Sequence, residues 1–149
     1  MKNPLDQLNL TPREAYFALS RIISWADGVQ QEAELDALAT LRMVEQIDLD
    51  VYDKIETISD DTGLFSCSIA ALKDHEAPIR ARACAWMLMT AMVANEGPVT
   101  TRPIKWDLTL ANVSPEERDW INRAQKALDV ADSALDDAFD LIPRIRSMD

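Results

Sequence analysis

Apolar residues recur three and four positions apart along most of the chain, a spacing that predicts α-helices. The first helix is predicted to begin at the capping box Thr11-Pro12-Arg13-Glu14, to bury one face and to end near Asp27, with Gly28 as its left-handed cap. Further helices are predicted from about residue 31, over 51–58, 64–72 and 77–94, from a second capping box at Ser114-Pro115-Glu116-Glu117, and over 131–141.

The run Ala83–Ala94 is apolar on almost every side, which is typical of a helix surrounded by other helices. It is too short to cross a bilayer, so no membrane insertion is expected. We therefore predict an all-α fold, a single domain over residues 1–149 in which about seven helices form two weakly related halves around this central helix. Residues 1–10 are expected to be an N-terminal extension and residues 98–113 a long connection.

Two details of the pattern concern the surroundings of this central helix. Residues Asp60-Asp61-Thr62-Gly63 predict a turn between two short helices. In the helix that starts near residue 31, the expected inward residues are Leu35, Leu38, Ala39, Leu41 and Met43.

Acidic residues outnumber basic ones by 26 to 15, for a formal net charge of −11. Nucleic-acid binding requires clustered Lys and Arg, so nucleic-acid partners are not expected. Cations, basic protein partners or simple solubility fit this charge better. The two cysteines, Cys67 and Cys84, lie inside apolar helical patterns and are expected to be reduced, which indicates a cytoplasmic protein.

The most distinctive short motif is the Ala-Asp-Gly turn at Ala26-Asp27-Gly28, followed by Glu32 and Glu34. Hard cations such as Ca²⁺ and Mg²⁺ bind several converging oxygen ligands, which these carboxylates and the turn carbonyls can supply. Helix capping by Gly28 and the favourable dipole at a helix start explain the same residues without a metal. Both interpretations stay open.

A weaker copy of this turn, Val93-Ala94-Asn95-Glu96-Gly97, follows the central helix. Together with the first turn and the Ser114 capping box, it resembles the TerB-like domain of the tellurite-resistance TerB family, over roughly residues 12–130. The resemblance implies an all-α cytoplasmic protein with two related halves, linked to tellurite and other stress resistance, in which acidic residues near the two turns bind divalent cations.

Carried over by position, the resemblance implies one acidic pair in each half: Asp27 and Glu32, then Glu96 and Glu117. The family usually has aspartate at the position of Glu96, and residues 98–113 separate Glu96 from Glu117. The first half is therefore the stronger candidate for a cation site.

Catalytic motifs are absent from the sequence, so we do not expect an enzyme. There is no nucleophile elbow and no glycine-rich phosphate loop, and the single histidine, His75, cannot build a zinc site with the two cysteines. Trp25, beside the acidic turn, and Trp106, in the long connection, are candidates for contacting a protein partner or for anchoring a loop. A homodimer is compatible with the sequence.

The sequence thus predicts a TerB-like binding or scaffold module that binds a divalent cation at the acidic helix–turn–helix. The alternative is a structural interaction module whose acidic surface docks a partner without any metal.

Overall fold

A computed structural model describes residues 10–26, 32–58, 60–96 and 114–142, with side chains at 10–26, 35–58, 60–92 and 114–142. The described residues form seven α-helices and no strand, which confirms the predicted all-α bundle. The helices are α1 (Pro12–Ser24), α2 (Glu32–Glu45), α3 (Leu49–Glu56), α4 (Asp61–Leu72), α5 (Ala77–Glu96), α6 (Pro115–Leu128) and α7 (Asp132–Leu141). The predicted N-terminal extension and the connection 98–113 lie outside these residues, and the two related halves stay a prediction.

Helix α5 is the central helix, as its composition predicts. Every residue from Ala83 to Met92 is buried, and α5 packs against α1, α2, α6 and α7. Its indole at Trp86 is fully buried, and the Thr90 hydroxyl donates to the Trp86 carbonyl at 2.9 Å. A helix without a polar face is stable here because other helices cover it on all sides.

Helix α1 is also buried all round from Ala15 to Ser24, so the prediction of a single buried face was wrong. It lies between α2, α4 and α5, which together leave it no face in contact with solvent. Its buried cation, Arg21, donates to the carbonyls of Ile58 (3.2 Å) and Glu56 (3.1 Å), and its Nε lies 3.3 Å from Glu56 Oε2 in an ion pair. A buried guanidinium is tolerated only with such partners.

The two predicted capping boxes are present. The Glu14 carboxylate accepts from the Thr11 amide at 2.9 Å, and the Glu117 carboxylate accepts from the Ser114 amide at 2.9 Å. Each reciprocal pair satisfies amides that a helix start leaves without an intrahelical partner.

Two predicted boundaries were wrong. Helix α1 ends at Ser24 rather than near Asp27, because the amides of Trp25 and Ala26 close the last turn onto the carbonyls of Ile22 (3.2 Å) and Ile23 (3.1 Å). Residues 60–63 are the start of α4 rather than a turn, since Asp60 caps this helix by accepting from the Gly63 amide at 3.0 Å.

The inward face of α2 also differs from the prediction. Leu38 and Leu41 are buried as expected, whereas Leu35, Ala39 and Met43 are exposed, Met43 by 72%. The other buried positions are Ala37 and Glu45. Among the described elements α2 packs mainly against α1 and α5. These two helices cover only a narrow stripe of α2, whereas its apolar residues are spread over a wider arc of the helix surface.

No helix in the described ranges is both long and apolar enough to cross a membrane.

Candidate functional site

Most of the predicted cation ligands have side chains outside the part of the chain that the structure describes: Asp27, Glu32, Glu34 and Glu96. The exception is Glu117, which is buried and whose Oε1 accepts from the Ser114 amide at the start of α6. Within the described side chains, no three His, Cys, Asp or Glu residues are grouped as metal ligands would be. Cation binding at the two turns therefore stays a prediction.

Of the two tryptophans predicted to meet a partner, Trp106 lies outside the described residues and Trp25 is 40% exposed. Trp25 borders a small hollow of about 250 Å³ with Arg21, Ile58 and Asp61. Partial burial raises the pKa of Asp61, against the opposing effect of the Arg21 charge. Too few polar groups line this hollow to indicate which ligand it would bind. The role of Trp25 therefore stays a prediction.

Helix α7 has one apolar and one acidic face. Leu135, Ala138 and Phe139 are buried in the core, and α7 packs along α5. The stretch 129–141 contains five aspartates and no Lys, Arg or His. Helix α7 therefore presents negative charge without any compensating cation of its own.

A groove of about 210 Å³ runs between the start of α5 and α7. Its walls are almost entirely small and apolar, and consist of Ala77, Pro78, Ala81, Ala134, Asp137, Ala138 and Leu141. Ala81 and Ala138 are buried at its floor, whereas Leu141 is 74% exposed at the end of α7. Asp137 is the one charged side chain among these lining residues. We call the groove and the aspartates of α7 the α5–α7 surface.

Arg80 of α5 binds the turn that leads from α6 into α7. Its guanidinium donates to the carbonyls of Leu128 and Asp129, and its Nε donates to the His75 carbonyl at 3.0 Å. Asp129 adopts a left-handed conformation (φ 54°) that ends α6 and turns the chain into α7. These hydrogen bonds hold the α6–α7 turn against the start of α5 through backbone carbonyls.

The last turn of α7 is acidic and contains no basic residue. The C-terminus of a helix carries partial negative charge, and the last turn of α7 has no basic residue to balance it. Asp140 adds a full charge there. Within α7 itself, negative side chains and the negative end of the helix dipole therefore lie together.

The sequence pattern predicts α7 correctly but does not reveal this surface. The absence of basic residues from 129–141 was visible in the sequence and was the available signal. The groove itself depends on Ala77 and Ala81 lying beside Ala134 and Ala138, which are more than fifty positions away in the chain.

No protein-family model, no curated protein and no solved structure matches the chain.

Proposed function

We propose that the protein is a non-enzymatic binding module that docks a basic, amphipathic protein segment on the α5–α7 surface. The observation that carries this proposal is an apolar groove bordered by a helix whose only charges are aspartates. This corresponds to the interaction module with an acidic surface that the sequence offers as one of its two alternatives.

The apolar part of the contact comes from the alanine-lined groove. Its small side chains leave room for an aliphatic side chain of the partner, and Leu141 extends the apolar wall outward. Burying one Leu, Ile or Met side chain contributes about 1.5–3 kcal/mol. This is the anchor of a helix-in-groove contact, in which a single face of the partner supplies the apolar residues.

The charged part of the contact selects the partner. Lys or Arg residues that flank the anchor would meet Asp137, the charged residue that lines the groove. Each exposed ion pair contributes only about 0.2–1 kcal/mol, so the charges mainly steer association and exclude acidic partners. The net charge of −11 acts in the same direction at long range.

Two synthetic peptides test this proposal. Both carry the same leucines at helical spacing, and the flanking residues are lysines in one peptide and glutamates in the other. We expect the lysine peptide to cause saturable shifts in the ¹⁵N–¹H spectrum at residues 134–141, and these shifts to weaken with added salt. Asp137→Lys should weaken binding about tenfold, because it replaces attraction by repulsion at the groove.

Asp50→Lys is the matched control, since Asp50 is an exposed aspartate on α3 and does not line the groove. It should leave the affinity nearly unchanged. Equal binding of the two peptides, or equal weakening by the two substitutions, would contradict the proposal.

Cation binding and a stress-resistance role follow from the TerB resemblance and are proposed on that ground alone. Their site is the turn at Asp27 and Glu32, so they are compatible with docking at the α5–α7 surface. A cytoplasmic location and a homodimer also stay predictions from the sequence.

A further inference from the structure

A second concave surface of about 550 Å³ lies where the starts of α1 and α5 meet the turn between α2 and α3. We call it the Glu45 cleft, after the residue at its floor. It shares no lining residue with the α5–α7 groove. Its volume lies within the range of about 300–1,000 Å³ that is usual for small-molecule sites.

Glu45 is held at the floor by two residues of α5. Its side chain is only 8% exposed, and its Oε1 accepts from Arg82 Nε at 2.6 Å and from the fully buried Trp86 Nε1 at 3.0 Å. Arg82 also brings a terminal nitrogen within 2.6 Å of the same oxygen. These contacts fix the carboxylate in one orientation and offset its burial.

All of these contacts fall on one oxygen. In the described part of the chain, Glu45 Oε2 accepts no hydrogen bond, and it is not sealed from solvent. An ionised carboxylate has about four acceptor positions, and buried polar side chains normally fill theirs. The free oxygen of a nearly buried carboxylate that lines a cleft is therefore an acceptor available to a ligand.

The neighbouring Tyr16 adds a second acceptor. Its hydroxyl donates to the Ile79 carbonyl at 2.9 Å, so its proton is already used and its lone pairs remain. Burial, and secondarily the negative charge of Glu45, raise the pKa of Tyr16 to about 12, against the opposing charges of Arg82 and Arg13. The phenol is thus neutral at physiological pH. Glu45 Oε2 and the Tyr16 oxygen are thus both acceptors for a hydrogen-bond donor.

The charges around the cleft also favour a cation. Its lining includes three carboxylates, of Glu14, Glu45 and Asp48, and two guanidinium groups, of Arg13 and Arg82, so carboxylates outnumber guanidinium groups. Asp48 stands at the start of α3 yet makes no capping hydrogen bond with its side chain, and it is exposed at the rim. The overall charge of −11 would attract the same ligand.

We propose that the Glu45 cleft binds a small organic cation whose protonated amine donates to Glu45 Oε2, with the Tyr16 oxygen and the Asp48 carboxylate as further acceptors. This binding is independent of docking at the α5–α7 surface.

Three probes of equal chain length test the class of ligand: n-butylammonium, n-butanol and butyrate. The readout is the ¹⁵N–¹H signal of the Trp86 indole, which donates to the other oxygen of Glu45 and is identified by its loss in Trp86→Phe. We expect a saturable shift of this signal and of the Gln46 and Ile47 amides with butylammonium only. A stronger effect of butyrate, or no saturable shift up to about 50 mM butylammonium, would overturn the proposal.

Substitutions locate the acceptor. Glu45→Gln should weaken butylammonium binding about tenfold or more, because it removes a charged acceptor from a nearly buried position. If Glu45→Gln does not fold, Asp48→Asn takes its place and should weaken binding about two- to fivefold. Asp53→Asn is the matched control, an exposed aspartate of α3 that does not line the cleft. Equal effects of Asp48→Asn and Asp53→Asn would contradict the assignment.

The same amine chemistry occurs in lysine side chains of proteins. A blocked lysine, Nα-acetyl-lysine methylamide, is therefore titrated beside butylammonium. Binding of the blocked lysine that is similar or weaker supports a small-molecule site. Binding more than about tenfold tighter would assign the cleft to a lysine of a protein partner and overturn the small-molecule proposal.

Discussion

Raising the pH to about 11 should lower the free energy of unfolding. Two buried groups stay protonated in the folded chain at a pH where they ionise in the unfolded chain, so high pH favours unfolding. Cys84, on the central helix α5, is fully buried, and this burial raises the pKa of its thiol from 9.0 to about 12. Tyr16 is almost fully buried, and its pKa rises from 10.0 to about 12.

The direction of the effect follows from the two pKa values of each group. In the unfolded chain the thiol and the phenol ionise near 9.0 and 10.0, whereas in the folded chain both keep their protons until about pH 12. Their contribution is complete below the unfolded pKa and is lost as the pH rises through the folded one. At about pH 11 the loss is about 3 kcal/mol for Cys84 and about 1 kcal/mol for Tyr16. The total free energy of unfolding of a domain of this size is about 5–15 kcal/mol, so this loss is a large fraction of it.

Urea unfolding followed by circular dichroism, at about pH 8 and about pH 11 with a reducing agent, measures this loss. Cys84→Ala should lose about 3 kcal/mol less than the wild type between the two conditions. Cys67→Ala is the control, because the side chain of Cys67 is only partly buried. The reasoning is refuted if Cys84→Ala and the wild type lose equal stability over this pH interval.

Three further predictions concern folding and the sequence-based cation site. Ser114→Ala should lower the free energy of unfolding by about 1 kcal/mol because it removes the capping box of α6, whereas an unchanged urea midpoint would mean that the cap is not needed. Phe17→Ala should cost about 3–5 kcal/mol, since Phe17 is fully buried and stacks on Tyr52 at 5.1 Å, and a loss below 1 kcal/mol would show that the core collapses around the gap. Calorimetry with Ca²⁺ and Mg²⁺ should show binding to the wild type that Asp27→Asn/Glu32→Gln abolishes, and no heat at millimolar cation would refute a metal at this turn.

The helices were predictable because their signals are local. Thr11 and Ser114 each precede a proline and stand three residues before a glutamate, and this spacing alone specifies a helix start. The composition of residues 83–94 likewise identifies the central helix, because no polar face remains for solvent.

The wrong predictions for α1 and α2 depend on how many other helices pack against each helix, which the local sequence does not specify. Arg21 in α1 indicates a solvent-facing side, yet α2, α4 and α5 enclose this helix and the carbonyls of Glu56 and Ile58 receive the guanidinium. Met43 in α2 indicates a buried side, yet too few helices contact α2 to cover it. A hydrophobic pattern gives the direction of a face, whereas the width of the buried arc is set by packing partners elsewhere in the chain.

Glu45 shows the same limit for a candidate site. From the sequence, a glutamate at the end of a helix is expected to be exposed to solvent. The partners that bury Glu45 are Arg82 and Trp86, which lie 37 and 41 positions further along the chain, so the local pattern does not indicate them. A buried ion pair is often no more stabilising than apolar residues of similar volume, so stability alone does not account for a carboxylate at this position. An acceptor fixed at the floor of a cleft, with one oxygen held by the core and the other left free, does account for it.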